Sequence, residues 1–437
     1  MMVRYTPGST PLPHFGRRTM LRIMLAGAGV AATGGLAACG SGGSGSGSES
    51  KVVTFGNNLS DQVPKDAITA ALKGFESKSG GLSVTINTKQ HEQYQEQINN
   101  YLQGKPDDVL AWFAGYRMRF FADKGLTGDL SDLWGKIGGN YSDALKQAST
   151  GSDKKQYFVP FIQYPWGMFY RKSVWQERGY AVPKTLDELV ALATKMKADG
   201  LIPIAFAQKQ GWPGMGTFDQ LNFRINGYQF HVDLLAGKEN WQDKKVKEVF
   251  DTWKRLLPFH QENALGREWQ EAAQSLQQKK SGMYLLGSFV GQQFPDAERD
   301  DLDFFPFPEI NPQFGTDTVE APIDGYMMAK KPANKDGALK LLEYLASPEP
   351  QLTYLKSDPN SVATNKNADT SGYSALQKKS AEVIKNAKHI TQFLDRDTDP
   401  GFASEAATNG LIAFIKNPDD IDSVLKGMAD QAKNIFK

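Results

Sequence analysis

Three short segments set aromatic rings in or beside turns: Trp112-Phe113-Ala114-Gly115, Tyr164-Pro165-Trp166-Gly167 and Gly211-Trp212-Pro213-Gly214. A tryptophan held between proline and glycine offers a flat apolar face with a polar edge. That shape suits the C–H face of a pyranose ring, whose hydroxyls neighbouring Asp and Asn side chains can bind. Trp166 and Trp212 are read either as such platforms or as core residues, and the helical Trp175 and Trp253 as core. Asp395-Arg396-Asp397-Thr398-Asp399 spaces three carboxylates at alternate positions. The start of a calcium loop looks like this, but Pro400 stands where such a loop needs glycine and Ala406 where it needs glutamate. A solvated loop and a ligand-contacting loop are the other readings.

Other chemistries find little support. The single cysteine, Cys39, can neither close an intramolecular disulfide nor hold zinc by itself, and no G-x-S-x-G elbow occurs. His91, His231, His260 and His389 show no i,i+3 or i,i+4 spacing, so no histidine metal cluster is expected. Phosphate-cradling glycine motifs are missing after residue 50, and no cofactor is expected. Fifty basic against forty-nine acidic side chains among 437 residues leave +1, too even a balance for a nucleic-acid partner. With 40% hydrophobic and 23% charged residues, the chain is long enough to bury two ordinary cores.

The elements that must position these residues alternate. Val52 to Gly56 reads as a buried strand, Pro64 to Phe75 as a helix, Leu82 to Ile86 as a strand, Tyr94 to Leu102 as a helix and Asp107 to Phe113 as a strand. The pattern resumes with Met168 to Tyr170, a helix from Thr185 to Asp199 and Ile202 to Phe206. Thr185 with Glu188 reads as a capping box. Helices follow over Lys244 to Leu257 and Glu268 to Gln278, then a strand Gly282 to Gly287, a strand Gly325 to Ala329, a helix Asp336 to Leu345 and a mainly helical last eighty residues. Alternation with short links predicts mostly parallel sheets covered by helices, with ligand at the carboxyl ends of the strands.

The first residues read as an address. Arg17 and Arg18 precede the apolar run Ile23 to Ala38, which is too short and too glycine-rich for a membrane span. Gly16-Arg17-Arg18-Thr19-Met20-Leu21-Arg22 resembles a twin-arginine export signal, with Met20 in place of the usual Phe; the general secretory route stays open. Leu36-Ala37-Ala38-Cys39-Gly40 resembles a bacterial lipobox, so residues 1–38 are expected to be a signal peptide and Cys39 a lipidated N-terminus. Residues 39–51 are a flexible Gly/Ser tether. Cleavage removes four arginines and no acids, which leaves the mature chain mildly acidic.

Several further motifs follow in order: Pro160-Phe161 through Trp166-Gly167-Met168-Phe169-Tyr170-Arg171-Lys172, then Gly179 to Leu189 with Pro183, Thr185, Asp187 and Glu188, then Gly282-Met283 before Gly287-Ser288-Phe289. Ala321-Pro322-Ile323-Asp324-Gly325-Tyr326 and the helix before Ser347-Pro348-Glu349 complete the series. Together they resemble one family, the extracellular solute-binding proteins of bacterial carbohydrate importers driven by ATP, of the maltose-binding type. Arg171 and Leu186 depart from the family's Asn and Trp.

The resemblance implies an α/β, two-lobe periplasmic-binding-protein-like fold, each lobe a central β-sheet flanked by helices and joined by a hinge. Lobe one is expected over 52–160 plus 322–355, and lobe two over 161–321 plus 356–437. It also implies a non-enzymatic receptor that captures a mono- or oligosaccharide between the lobes and hands it to the transmembrane subunits of an ABC permease. The expected form is a monomer held to the outer face of the cell membrane by its lipid. The cleft is expected to receive Asn57, His91, Trp112, Phe113, Tyr116, Tyr164, Trp166, Trp212, Phe289, Asp324, Tyr326, Arg396 and Asp397. The same fold carrying a non-sugar solute, such as a peptide or a polyol phosphate, is the first alternative, and an extracellular glycosidase with paired carboxylates the second.

Overall fold

The computed structural model describes residues 51–436, so the signal-peptide, tether and Cys39 readings lie outside the described residues. Strand β1 (Val52–Asn57) pairs in parallel with β2 (Ser83–Thr88) and β3 (Val109–Phe113). The intervening helices are Gln62–Lys78 and His91–Gln103, each starting earlier than its apolar stripe. The chain then supplies β4 (Val159–Gln163) and β5 (Trp166–Arg171), with only Tyr164 and Pro165 between them. Four further strands, β6 (Ile202–Ala205), β7 (Ser281–Gly287), β8 (Leu302–Phe305) and β9 (Thr318–Glu320), precede β10 (Ile323–Met328). The last two are β11 (Val362–Ala363) and β12 (His389–Thr391).

These strands make three sheets. The first runs β11-β4-β10-β3-β1-β2, the second β6-β7-β5-β8, and β9 pairs with β12 as a two-stranded ribbon. The expectation of mostly parallel sheets fails: β10 is antiparallel to both β3 and β4, and β5 is antiparallel to both β7 and β8. The reason is connectivity. A parallel neighbour needs a crossover within its own lobe, whereas β10 enters the first sheet on a return from the second and can arrive head to tail.

Two apolar cores sit on these sheets. One gathers Phe55, Leu110, Phe161, Met327 and Leu342, the other Phe169, Leu221, Trp253, Leu286 and Phe414. The boundary after residue 355 is not clean, because β11 joins the first sheet and Val362 and Tyr373 pack in the first core. The helix Ala375–Asn386 faces both, with Val383 against the second core and Ile384 against the first.

One large element left no periodic trace. The helix Pro213–Leu235 buries residues on every side, so no polar stripe marks it, and it breaks at Gly227, whose φ is 81°. A Cβ there would lie 2.5 Å from the Phe314 ring, so both the conformation and the space call for glycine. Arg171, where the family pattern has Asn, pairs with Asp301 and Glu298, each at 2.7 Å, and so ties β5 to the segment before β8.

Candidate functional site

The strand ends that cross between the two cores converge on a cavity of about 390 Å³. Its volume lies toward the lower end of the ~300–1,000 Å³ usual for small-molecule sites. Ten of the sequence-expected residues line it: His91, Trp112, Phe113, Tyr164, Trp166, Trp212, Phe289, Asp324, Tyr326 and Arg396.

The floor is an ionic knot. Arg396, in the short helix Leu394–Asp397, donates from Nη1 to Asp324 Oδ1 at 2.6 Å and from Nη2 to the Tyr164 hydroxyl at 2.9 Å. Its guanidinium carbon lies 3.9 Å from the centre of the Phe113 ring. Burial alone would weaken the guanidinium's hold on its proton, but Asp324, Tyr164 and Asp395 outweigh it and keep the group charged. Burial pushes the Asp324 carboxyl up despite Arg396, so its charge depends on that one partner. Beside them Arg117 reaches the Asp395 carbonyl and lies 3.7 Å from its carboxylate.

Aromatic rings form the walls. Trp166 stacks on Phe393 with centroids 4.9 Å apart and stands edge-on to Trp212 and Phe289. Trp166 is only 4% exposed and fills the space over Gly216, where a Cβ would lie 2.2 Å from its ring. It is at once a wall of the cavity and a core residue. Trp212 is only partly buried and is the freer platform. At the opening, Gln270 Nε2 on one side reaches Asp61 Oδ2 on the other at 3.5 Å. Burial, Glu92 and Glu268 together push the Asp61 carboxyl up.

Three expected residues do not line the cavity. Asn57 turns to Thr88 and to the Leu59 N–H, and its neighbour Asn58, just past the end of β1, lines the cavity instead. Tyr116 opens the helix Tyr116–Asp123 outside the lining. Asp397 accepts from the Gln392 N–H at 3.2 Å, and Asp399 accepts from the Gly401 N–H at 2.8 Å. The three alternate carboxylates thus diverge, and only Asp395 reaches the cavity. Gly325, beside Asp324, is required by the sheet: a Cβ would lie 2.1 Å from the Val159 carbonyl, at a register shift between β10 and β4.

Among the lining residues that sequence reasoning missed are Asp61, Gln95, Trp269 and Phe393. Phe393 flanks the Asp395 to Asp399 segment already singled out. Trp269 opens the helix Trp269–Gln277, a position at which a tryptophan reads as core.

The chain matches the family described as bacterial extracellular solute-binding protein over residues 60–352. It is similar in structure to the bacterial solute receptor AcbH, characterised as having an exclusive preference for β-D-galactopyranose. The two are 44% identical with a TM-score of 0.86, over 88% of this chain and 99% of that one. It is 25% identical to an uncharacterized ABC transporter extracellular-binding protein of Pyrococcus horikoshii, over 84% of this chain and 85% of the relative. It is also 24% identical to the alpha-glucosides-binding periplasmic protein AglE of Rhizobium meliloti, over 78% and 79%. With a receptor's cleft between two α/β lobes and the family pattern across most of its length, the chain belongs to the bacterial extracellular solute-binding proteins.

Proposed function

We propose that the protein is the sugar receptor of an ABC importer, and that its ligand is a single hexopyranose or a short oligosaccharide. The observation that carries this reading is the pairing, in one small cavity, of aromatic walls with the Arg396–Asp324 knot. Rings cover the apolar face of a sugar, and charged groups take its hydroxyls by charge-assisted bonds. The 44% identity to AcbH makes D-galactose the first ligand to test. Calorimetry with D-galactose, maltose and raffinose is expected to give saturable binding to at least one. Heat from none of them, with a folded protein, sinks the reading.

The ligand touches groups on both sides of the cleft, so binding favours the closed arrangement that a permease would receive. We further propose that Cys39 carries a lipid and that the mature protein acts as a monomer at the outer face of the membrane. Cys39→Ala should leave the fold intact and move the protein from the membrane to the soluble fraction. Retention of the variant in membranes at the wild-type proportion excludes this anchor.

A further inference from the structure

Gln95 stands between two groups of fixed chemistry. Its Oε1 lies 3.1 Å from Nη2 of Arg117, which can only donate. Its Nε2 lies 2.8 Å from Nε2 of His91. With the oxygen committed to the guanidinium, the Gln95 nitrogen must donate, and Nε2 of His91 must accept.

The ring is neutral. Its hydrogen-bond partners are the Gln95 and Asn58 side-chain amides and the Asn58 backbone, none of them charged, and burial, with Arg396 and Arg117 nearby and against the pull of Asp395 and the Asn58 backbone, holds its pKa at about 4. A neutral imidazole that accepts at Nε2 carries its proton on Nδ1. Asn58 Nδ2 lies 3.0 Å from that nitrogen. Two donors cannot bond to each other, so the amide is assigned the reversed orientation, with its oxygen toward the ring, since the network decides which end of an amide is which. Its NH2 is left pointing away from His91. Asn58 is 5% exposed and lines the cavity, and its amide has no second side-chain or backbone partner among the described residues.

We infer that Arg117, Gln95 and His91 form a relay that makes Asn58 a hydrogen-bond donor toward the ligand, with Gln95 and His91 as positioning residues. The relay is anchored across the cleft, because Arg117 is held by Asp395. At this point the bound molecule must present an acceptor, such as a ring oxygen or a hydroxyl lone pair, and an ammonium group of an amino sugar is turned away. The ligand side rests on the sugar reading above; the relay does not.

The test is the tautomer of His91, read from long-range proton–nitrogen correlations in the ligand-free mature protein and assigned with His91→Gln. A neutral ring protonated on Nδ1 is expected near neutral pH. In Gln95→Glu the carboxylate accepts from both Arg117 and His91, so the proton moves to Nε2 and Asn58 turns its oxygen to the cleft. D-galactose affinity then falls by about tenfold or more, the scale on which a site rejects a mismatched polar group. Unmoved His231 and His260 signals report an intact fold. A wild-type ring that is charged or protonated on Nε2, or a Gln95→Glu ring that keeps its proton on Nδ1, overturns the relay. A swapped tautomer with galactose affinity within about twofold of wild type overturns the donor role of Asn58. If the wild type shows the expected tautomer and swap but binds no sugar, the failure belongs to the ligand reading and the relay stands.

Discussion

Asp324 and Arg396 hold each other at 2.6 Å where the two lobes meet, and the Asp324 side chain keeps 27% of its surface open to the cavity. Asp324→Asn is expected to weaken sugar binding by at least tenfold, since a charge-assisted bond contributes about 1.5–3 kcal/mol. The melting temperature of the empty protein should hardly move, because Arg396 keeps Tyr164 and Asp395. The reverse pattern in calorimetry and thermal melting would assign Asp324 to the hinge alone. Trp166→Ala carries a different expectation. The ring is stacked and almost closed to solvent, so its loss should cost about 3–5 kcal/mol of stability as well as affinity. Trp212→Ala, at a partly buried ring, is expected to lower affinity at nearly unchanged stability. The tryptophans of the site were legible because rings set in turns are unusual wherever they occur, while Asp324 and Arg396 were placed in the cleft only by the family resemblance, since residues so far apart in sequence carry no sign of their pairing. Gln95 was not legible, because an amide takes its meaning from the groups opposite it, and those come from distant parts of the chain.

Among the elements, the helix Leu186–Ala198 shows how far local sequence reaches. Thr185 accepts from the Glu188 N–H at 3.3 Å, as the capping pattern predicts, but Glu188 answers to the Lys184 N–H at 2.7 Å, one residue before the cap. The displacement has a cause: Thr185 forms a bridge with Glu309, which draws the chain toward the second sheet. Thr185→Ala should cost about 1 kcal/mol in chemical denaturation. Short strands such as β11 and β12 escaped notice because two or three residues carry no period and are defined only by their partners. The helix Pro213–Leu235 and strand β9 hold a second buried feature, the carboxyls of Asp219 and Glu320, both closed to solvent. Asp219 accepts from the Leu394 N–H at 2.7 Å and Glu320 from Gln220 at 2.8 Å. Burial pushes both well above their usual values of 3.8 and 4.5. They keep protons that the unfolded chain releases, so their contribution is full below those values and is lost as pH rises through the folded ones. His231 and His260, lowered to about 3 by burial, act in the opposite sense and remove stability as pH falls below 6.5. Asp219→Asn with Glu320→Gln should therefore flatten the alkaline limb of the stability profile and leave the acid limb in place.

At the scale of the whole molecule, the crossings at Tyr164-Pro165 and Ala321-Pro322, together with the β9–β12 ribbon, let two separate cores share one cleft. The Gln270–Asp61 contact bridges its opening. Adding the sugar should reduce the radius of gyration in solution scattering, or leave it unchanged if the empty protein is already closed. Gln270→Ala should speed ligand release at a similar association rate, because a contact at the lip acts after the ligand has entered. Equal release rates for variant and wild type would deny the lip any role.

The place of β10 also governs how the chain comes to be folded. It lies between β3 and β4, yet it follows them only after the whole of the second sheet has been made. Until residues 323–328 leave the ribosome or the export channel, β3 presents one unpaired edge and β4, whose other neighbour β11 comes later still, presents two, with Trp112 and Phe161 beside them. Such edges invite pairing with other chains, and the long closure needed to fill the gap is slow. A fragment of residues 51–320 should consequently show hydrogen-exchange protection in β6 and β7 but little in β3 and β4. The first lobe made is thus the last completed, and a nascent chain depends on being kept apart from its copies until its second half arrives.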